Sequence, residues 1–199
     1  DDMDNVRDRN PPLNEMVVYY HAWKHADTDY VGVMHYRRHL VLDQENQAEF
    51  EEDRWGTVRI SEIKPGYPES LGLTEENLQR IMDEYDLVLP APWSVKGAGS
   101  KNLYEHFKAH SPVGIKHLDL ALDLIERDDP ELGDFARTFV KQDLGLFTNT
   151  ILAKREIFNE YCEWYFGMTE ELEAAISKDN LTERQYRIYV VEWMFMIYF

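Results

Sequence analysis

The sequence predicts an α/β fold in which a mainly parallel sheet is flanked by helices and followed by a helical C-terminal part. Three observations carry that expectation. Short apolar runs of strand character alternate with helical stretches. The first run, Tyr30-Val31-Gly32-Val33-Met34-His35, has no charge on either side, as an interior strand covered on both faces would. After the last run, apolar residues recur at steps of three and four towards the C-terminus. No repeat period or linker divides the 199 residues, so residues 1–199 read as a single domain.

Each element follows in chain order. From Pro12, the stretch 14–24 reads as a helix, with Met16, Tyr19, Tyr20 and Trp23 on one apolar face. Ala26-Asp27-Thr28-Asp29 breaks it with turn residues, and the first strand runs into His35-Tyr36-Arg37-Arg38-His39. Residues 44–67 are acidic and irregular and read as a loop or flap. A helix over 75–85, capped by Thr74, precedes a second strand, Asp86-Leu87-Val88-Leu89, stopped by Pro90-Ala91-Pro92. Three helical pieces follow: 103–109; 112–126, with Ser111 as cap and Pro112 in the first turn; and 130–140, with Asp129 and Pro130 in the same arrangement. Thr150-Ile151-Leu152-Ala153 is the third strand. A long helix over 156–177 carries a stripe of Ile157, Tyr161, Trp164, Met168, Leu172 and Ala175, and a last helix starts at Thr182.

Charge and composition exclude several function classes. With 21 Lys and Arg against 38 Asp and Glu, the chain carries −17 at pH 7. So anionic a body repels phosphate backbones, which argues against nucleic acid as a partner. An anionic ligand therefore needs a local basic pocket. The one cysteine, Cys162, excludes an internal disulfide framework and a multi-cysteine zinc site. It reads as an inert thiol of a reducing compartment. No apolar run reaches membrane-span length, and the acidic first residues do not resemble a secretory signal. A cytoplasmic protein is the expectation.

The most informative segment is residues 35–39. Five consecutive hydrogen-bonding side chains close an apolar strand, and arginine forks match phosphate oxygens two at a time. In a parallel sheet, ligands sit beyond the carboxyl ends of strands. The segment is therefore placed for a diphosphate; surface pairing with carboxylates is the bland alternative. Trp93, following a strand, is a candidate ligand platform, whereas Trp23 and Trp164 read as core. His106 and His110, four apart on a helix, have the spacing to share a metal, but no third ligand is evident and a solvated face is the simpler reading. Asp27, Asp29 and Asp86 precede their strands and read as structural.

Asn14-Glu15, Tyr20-His21-Ala22-Trp23-Lys24 and Asp29-Tyr30-Val31-Gly32-Val33-Met34-His35-Tyr36-Arg37-Arg38 together resemble the signature of the DUF4422 family, found in capsular-polysaccharide and lipopolysaccharide synthesis proteins and grouped with GT-A-type glycosyltransferases. The stretch from Asn149 to Trp164, with Tyr161-Cys162-Glu163-Trp164, resembles a second family block. Tyr104 to His110 and Arg187 to Glu192 resemble two more. The resemblance implies a GT-A-like domain that moves a hexose, galactose-type favoured, from a UDP-sugar to a surface-polysaccharide acceptor. It implies His35, Arg37 and Arg38 as the catalytic group, standing where related enzymes carry a metal-binding Asp-x-Asp. No metal is then required, a divalent manganese or magnesium ion being the alternative. Tyr36, Trp93, His110 and Asn149 would face substrate, and Glu15, Lys24 and Glu192 would support the site from behind. The family's opening nucleotide-binding strand has no counterpart here, and the Arg-to-Glu spacing of the closing block is shortened. The expectation is thus a domain that lacks that strand, with peripheral association with a polysaccharide synthesis complex. The rival reading is a non-catalytic sugar-nucleotide- or glycan-binding module of a larger synthesis protein. A metal-dependent hydrolase built on His106 and His110 is a third.

Overall fold

The computed structural model, which describes residues 15–43, 57–111, 114–177 and 190–199, opens on helix α1 (Met16–His25). Its apolar face is the expected one: Met16 and Tyr19 are fully buried, and Tyr20 and Trp23 pack against the same core. After the Ala26–Asp29 break comes β1 (Tyr30–Val33), then the short α2 (Tyr67–Ser70) and α3 (Glu75–Glu84). Thr74 caps α3, its hydroxyl accepting from the Asn77 amide at 3.3 Å. Next are β2 (Leu87–Val88), β3 (Trp93–Ser94), α4 (Leu103–His110), α5 (Lys116–Asp128), α6 (Pro130–Phe139), β4 (Leu144–Gly145) and β5 (Ile151–Lys154). The long α7 (Arg155–Ser177) and α8 (Val190–Tyr198) complete the described chain.

The sheet departs from the expected parallel arrangement. Its order is β1-β5-β2, and both neighbours run antiparallel to β5, with Val31 opposite Ala153 and Val88 opposite Leu152. β3 and β4 form a separate antiparallel pair. The described residues therefore hold no large parallel sheet, and β1 is a flank rather than the interior strand. Burial explains the reversal of roles. Ile151, Leu152 and Ala153 are all buried, as a central strand requires, whereas Gly32 in β1 is exposed. Strand direction depends on how distant segments return to the sheet, and an apolar run of four residues does not encode it.

Alternate side chains of the sheet feed two clusters. Val31, Val33, Ile151 and Ala153 join the main core with Tyr19, Phe158, Tyr161 and the α5 and α8 residues Leu118, Ile125, Met194 and Phe195. Leu152 points the other way, into a smaller cluster with Leu40, Leu42, Ile81 and Met82. Each large side chain withdrawn from water in this way contributes about 1.5–3 kcal/mol.

The α5 start also differs from expectation. Ser111 ends α4, its amide donating to Phe107 O at 2.8 Å, and α5 begins only at Lys116. Pro112 lies outside the described residues, as do residues 44–56 of the expected loop and the start at Thr182 of the last helix. The Asp129–Pro130 start of α6 holds, with Asp129 Oδ1 accepting from the amides of Glu131 and Leu132. Asp86 is structural, as expected, ion-paired with Lys154 across the β2–β5 boundary. Among the described residues, no helix is long and apolar enough to cross a membrane.

Candidate functional site

Antiparallel pairing puts the end of β1 beside the start of β5, so the 35–38 turn lies against residues 147–149. The turn is tight: the Arg38 amide donates to His35 O, and the Arg37 amide to His35 Nδ1, both at 3.2 Å. Because Nδ1 accepts, the neutral ring carries its proton on Nε2. Burial lowers the His35 pKa; Glu15 opposes this, and the nearby Arg38, Arg37 and His39 reinforce it. The uncharged ring of His35 is thereby favoured.

Arg38 reaches back over the start of β5. Its Nη1 donates to Phe147 O at 3.2 Å and lies 3.7 Å from Glu192 Oε1 on the first turn of α8. The 3.7 Å separation is beyond a good hydrogen bond, and the Arg38 side chain is 50% exposed against 23% for Glu192. The guanidinium is available to an incoming anion. Arg37 points elsewhere, its guanidinium carbon 4.9 Å from the centroid of the Tyr36 ring, which is itself 75% exposed. Neither arginine is locked into a close carboxylate fork among the described residues.

Asn149 is the buried pivot beneath. Its Nδ2 donates to Glu15 Oε1 at 2.9 Å, and its carbonyl accepts from the Tyr19 hydroxyl at 3.0 Å. Its Oδ1, out of reach of solvent, meets no donor among the described residues. Glu192 completes the group. Burial pushes its carboxyl up to about 7; Arg38 partly offsets this and the Glu15 charge adds to it. Glu15, His35, Arg38, Asn149 and Glu192 are therefore brought together by α1, the β1 end, the β5 start and α8.

An aromatic wall adjoins them. Trp93 and Phe147 ring centroids are 4.0 Å apart, and the His106 ring stands 5.9 Å from Trp93, edge-on. Phe147 links the two halves, its carbonyl holding Arg38 and its ring holding Trp93. Gly145, paired with Trp93 across β3–β4, lets Met196 and Leu103 pack against this strand: a Cβ there would lie 2.5 Å from Met196 Sδ and 2.8 Å from Leu103 Cδ2. His110 is exposed, its ring 4.4 Å from His106, whose Nδ1 bonds Ser100 Oγ at 3.0 Å. No group of three or more His, Cys, Asp or Glu side chains spaced for a metal occurs among the described residues.

Lys24 does not join the group. It lies at the far end of α1, on the order of 13 Å along the axis from Glu15, with Nζ 3.4 Å above the Trp23 ring. An open depression lined by Gly99, Ser100, Lys101, Asn102, Glu105 and Ala109 sits at the start of α4 and contains none of the predicted site residues. Cys162 is buried, and that burial raises its thiol pKa far above neutrality. Sequence reasoning missed Phe147 and Tyr19. Tyr19 read as core, which it also is, and only its contact with Asn149, 130 residues away, reveals its second role.

Among solved structures, the chain is similar to the apo form of WbbM, a bifunctional glycosyltransferase, with 37% identity and a TM-score of 0.89. The likeness covers 100% of this chain and 35% of that one, so the chain spans about a third of that relative's length. No curated protein matches it. The model of the domain of unknown function DUF4422 matches residues 1–199, end to end, and the chain belongs to that family.

Proposed function

We propose that the chain is a glycosyltransferase domain that moves a hexose, galactose-type favoured, from a UDP-sugar to a bacterial surface-polysaccharide acceptor in the cytoplasm. The observation that carries this reading is Arg38, held half-exposed between the Phe147 carbonyl and Glu192 beside the Trp93–Phe147 wall, in a chain of charge −17. A guanidinium so placed neutralises the charge that builds on a departing nucleoside diphosphate. Arg37, one residue away and free to swing off the Tyr36 ring, supplies a second fork. The aromatic wall offers a face on which a sugar or base stacks, and Asn149 and His35 position the donor from below. Likeness to a glycosyltransferase over the whole chain supports the same assignment.

The test is a calorimetric screen of UDP-galactose, GDP-mannose and dTDP-glucose, with and without manganese. Arg38→Ala should weaken binding of the preferred donor by about 10- to 150-fold, the loss of a charged hydrogen-bond partner being worth about 1.5–3 kcal/mol. Arg37→Ala should also weaken it. Unchanged affinity in both variants refutes the diphosphate assignment. The 35% coverage of WbbM favours a second reading, a donor-binding module of a larger synthesis protein. Tight donor binding with no turnover of the donor selects it.

A further inference from the structure

Arg38 has two claimants. In the structure it faces Glu192 at 3.7 Å, and the donor reading above, on which this inference rests, gives the same guanidinium to a diphosphate. A diphosphate approaching Arg38 also approaches two carboxylates, Glu192 and Glu15, whose charges already act on each other. Even with Arg37 as a second fork on the diphosphate, Arg38 cannot serve the incoming phosphate and Glu192 together. We infer that Arg38 exchanges from Glu192 to the donor diphosphate, and that Glu192 takes up a proton as it is released and returns it to solvent when the diphosphate leaves. Donor binding and protonation of Glu192 are then linked, and the donor binds more tightly as pH falls.

The surroundings fit such an exchange. The ion pair is too long for a strong hydrogen bond and half open on the arginine side, so breaking it costs little. Glu192 is the less exposed partner and is poorly solvated once Arg38 departs, so a neutral carboxyl is the stable form. Its carboxyl already sits near 7 with Arg38 in place, and loss of the arginine moves it further up. Among the described residues, the charges that act on it are Arg38 from the end of β1 and Glu15 from the head of α1. Asn149 holds Glu15 by its amide and keeps that carboxylate fixed while Glu192 titrates. His35 is the other group at the turn whose pKa is displaced, and its displacement is downward.

The experiment uses the sugar nucleotide that binds best in the screen above, because its diphosphate has no oxygen that titrates near neutrality. Calorimetry at pH 7 in two buffers of different ionisation enthalpy measures protons taken up on binding. If release from Arg38 raises the Glu192 carboxyl by about one pH unit, wild type takes up about 0.4 proton and binds about five-fold more tightly at pH 6 than at pH 8. Glu192→Gln, which mimics the neutral acid in size and shape, should bind at every pH with no proton uptake and a flat profile. Tight binding by wild type without proton uptake overturns the exchange but leaves the donor reading standing. A pH dependence that survives in Glu192→Gln also overturns it and assigns the proton to a group other than Glu192. Failure of all three sugar nucleotides to bind overturns the donor reading, and the exchange with it. The wild-type measurement decides the matter even if the variant misfolds.

Discussion

Asn149→Asp tests the buried pivot of the site, and the size of its effect follows from the geometry. In the wild type, Nδ2 donates to Glu15 Oε1 at 2.9 Å. The substitution replaces that donor with a carboxyl. Two ionised carboxylates about 4 Å apart at an effective dielectric constant near 20 repel by about 4 kcal/mol. The protein has one escape, which is to keep the new carboxyl protonated so that its O–H donates to Glu15. At pH 7, holding a group of ordinary pKa 3.9 neutral costs about 4 kcal/mol, and at pH 5 about 1.5 kcal/mol. Both routes therefore cost about the same at pH 7, and only the second becomes easier in acid. The sign follows from linkage: the folded-state pKa of the pair is raised, so its contribution is intact in acid and is lost as pH rises. The expected penalty, from urea unfolding at pH 5, 6 and 7, grows from about 1.5 to about 4 kcal/mol, a large share of a typical domain's 5–15 kcal/mol. Asn149→Leu, which adds no charge, should cost about 1.5–3 kcal/mol with little pH dependence. A penalty for Asn149→Asp that is the same at all three pH values, or below about 1 kcal/mol at pH 7, refutes the Asn149–Glu15 contact.

Three further outcomes bear on the frame that holds the site. Gly133→Ala would set a Cβ 2.4 Å from Glu126 Cα, where α6 crosses α5, and backbone cannot yield as a side-chain tip does; we expect a loss of about 1–3 kcal/mol or more in chemical denaturation. Asp129→Ala removes the side-chain oxygen that caps two α6 amides and should lower stability by about 1 kcal/mol, read as a fall in Tm. Cys162 should resist iodoacetamide in the native protein at pH 8 and react once unfolded, because burial both hides the thiol and holds it protonated; prompt native labelling contradicts its placement.

What the sequence makes legible, and what it hides, divides along physical lines. Helices announce themselves locally. Thr74 and Asp129 cap their helices through bonds to amides two or three residues ahead, and the three-and-four rhythm of Met16 to Trp23 gives the buried face directly. Ser111 fails for the same reason in reverse: a good capping residue ahead of a proline fits a helix start on local grounds, yet here it closes α4. Strand direction has no local signature at all. Tyr30–Val33 looks interior because neither Val31 and Val33 on one side nor Gly32 and Met34 on the other carries a charge, but its place at the sheet's flank is decided by β5, far away in the chain.

That error of direction changes the argument for the site without moving the site. In a parallel sheet, ligands gather where the carboxyl ends of strands converge, so the 35–39 segment would share its edge with the residues after β2 and β5. In the antiparallel sheet, the end of β1 meets the start of β5 instead, and this is why Asn149 and Phe147, which precede β5, lie under Arg38. A parallel β5 would have carried Asn149 to the opposite end of the sheet, away from the arginine it accompanies. The grouping of Glu15, His35, Arg38, Asn149 and Glu192 thus depends on the feature that the sequence hid. Their charges, not their order, set the balance: one guanidinium and one imidazole lie beside two carboxylates, so an anion that took the guanidinium would leave Glu15 and Glu192 without their opposing charge.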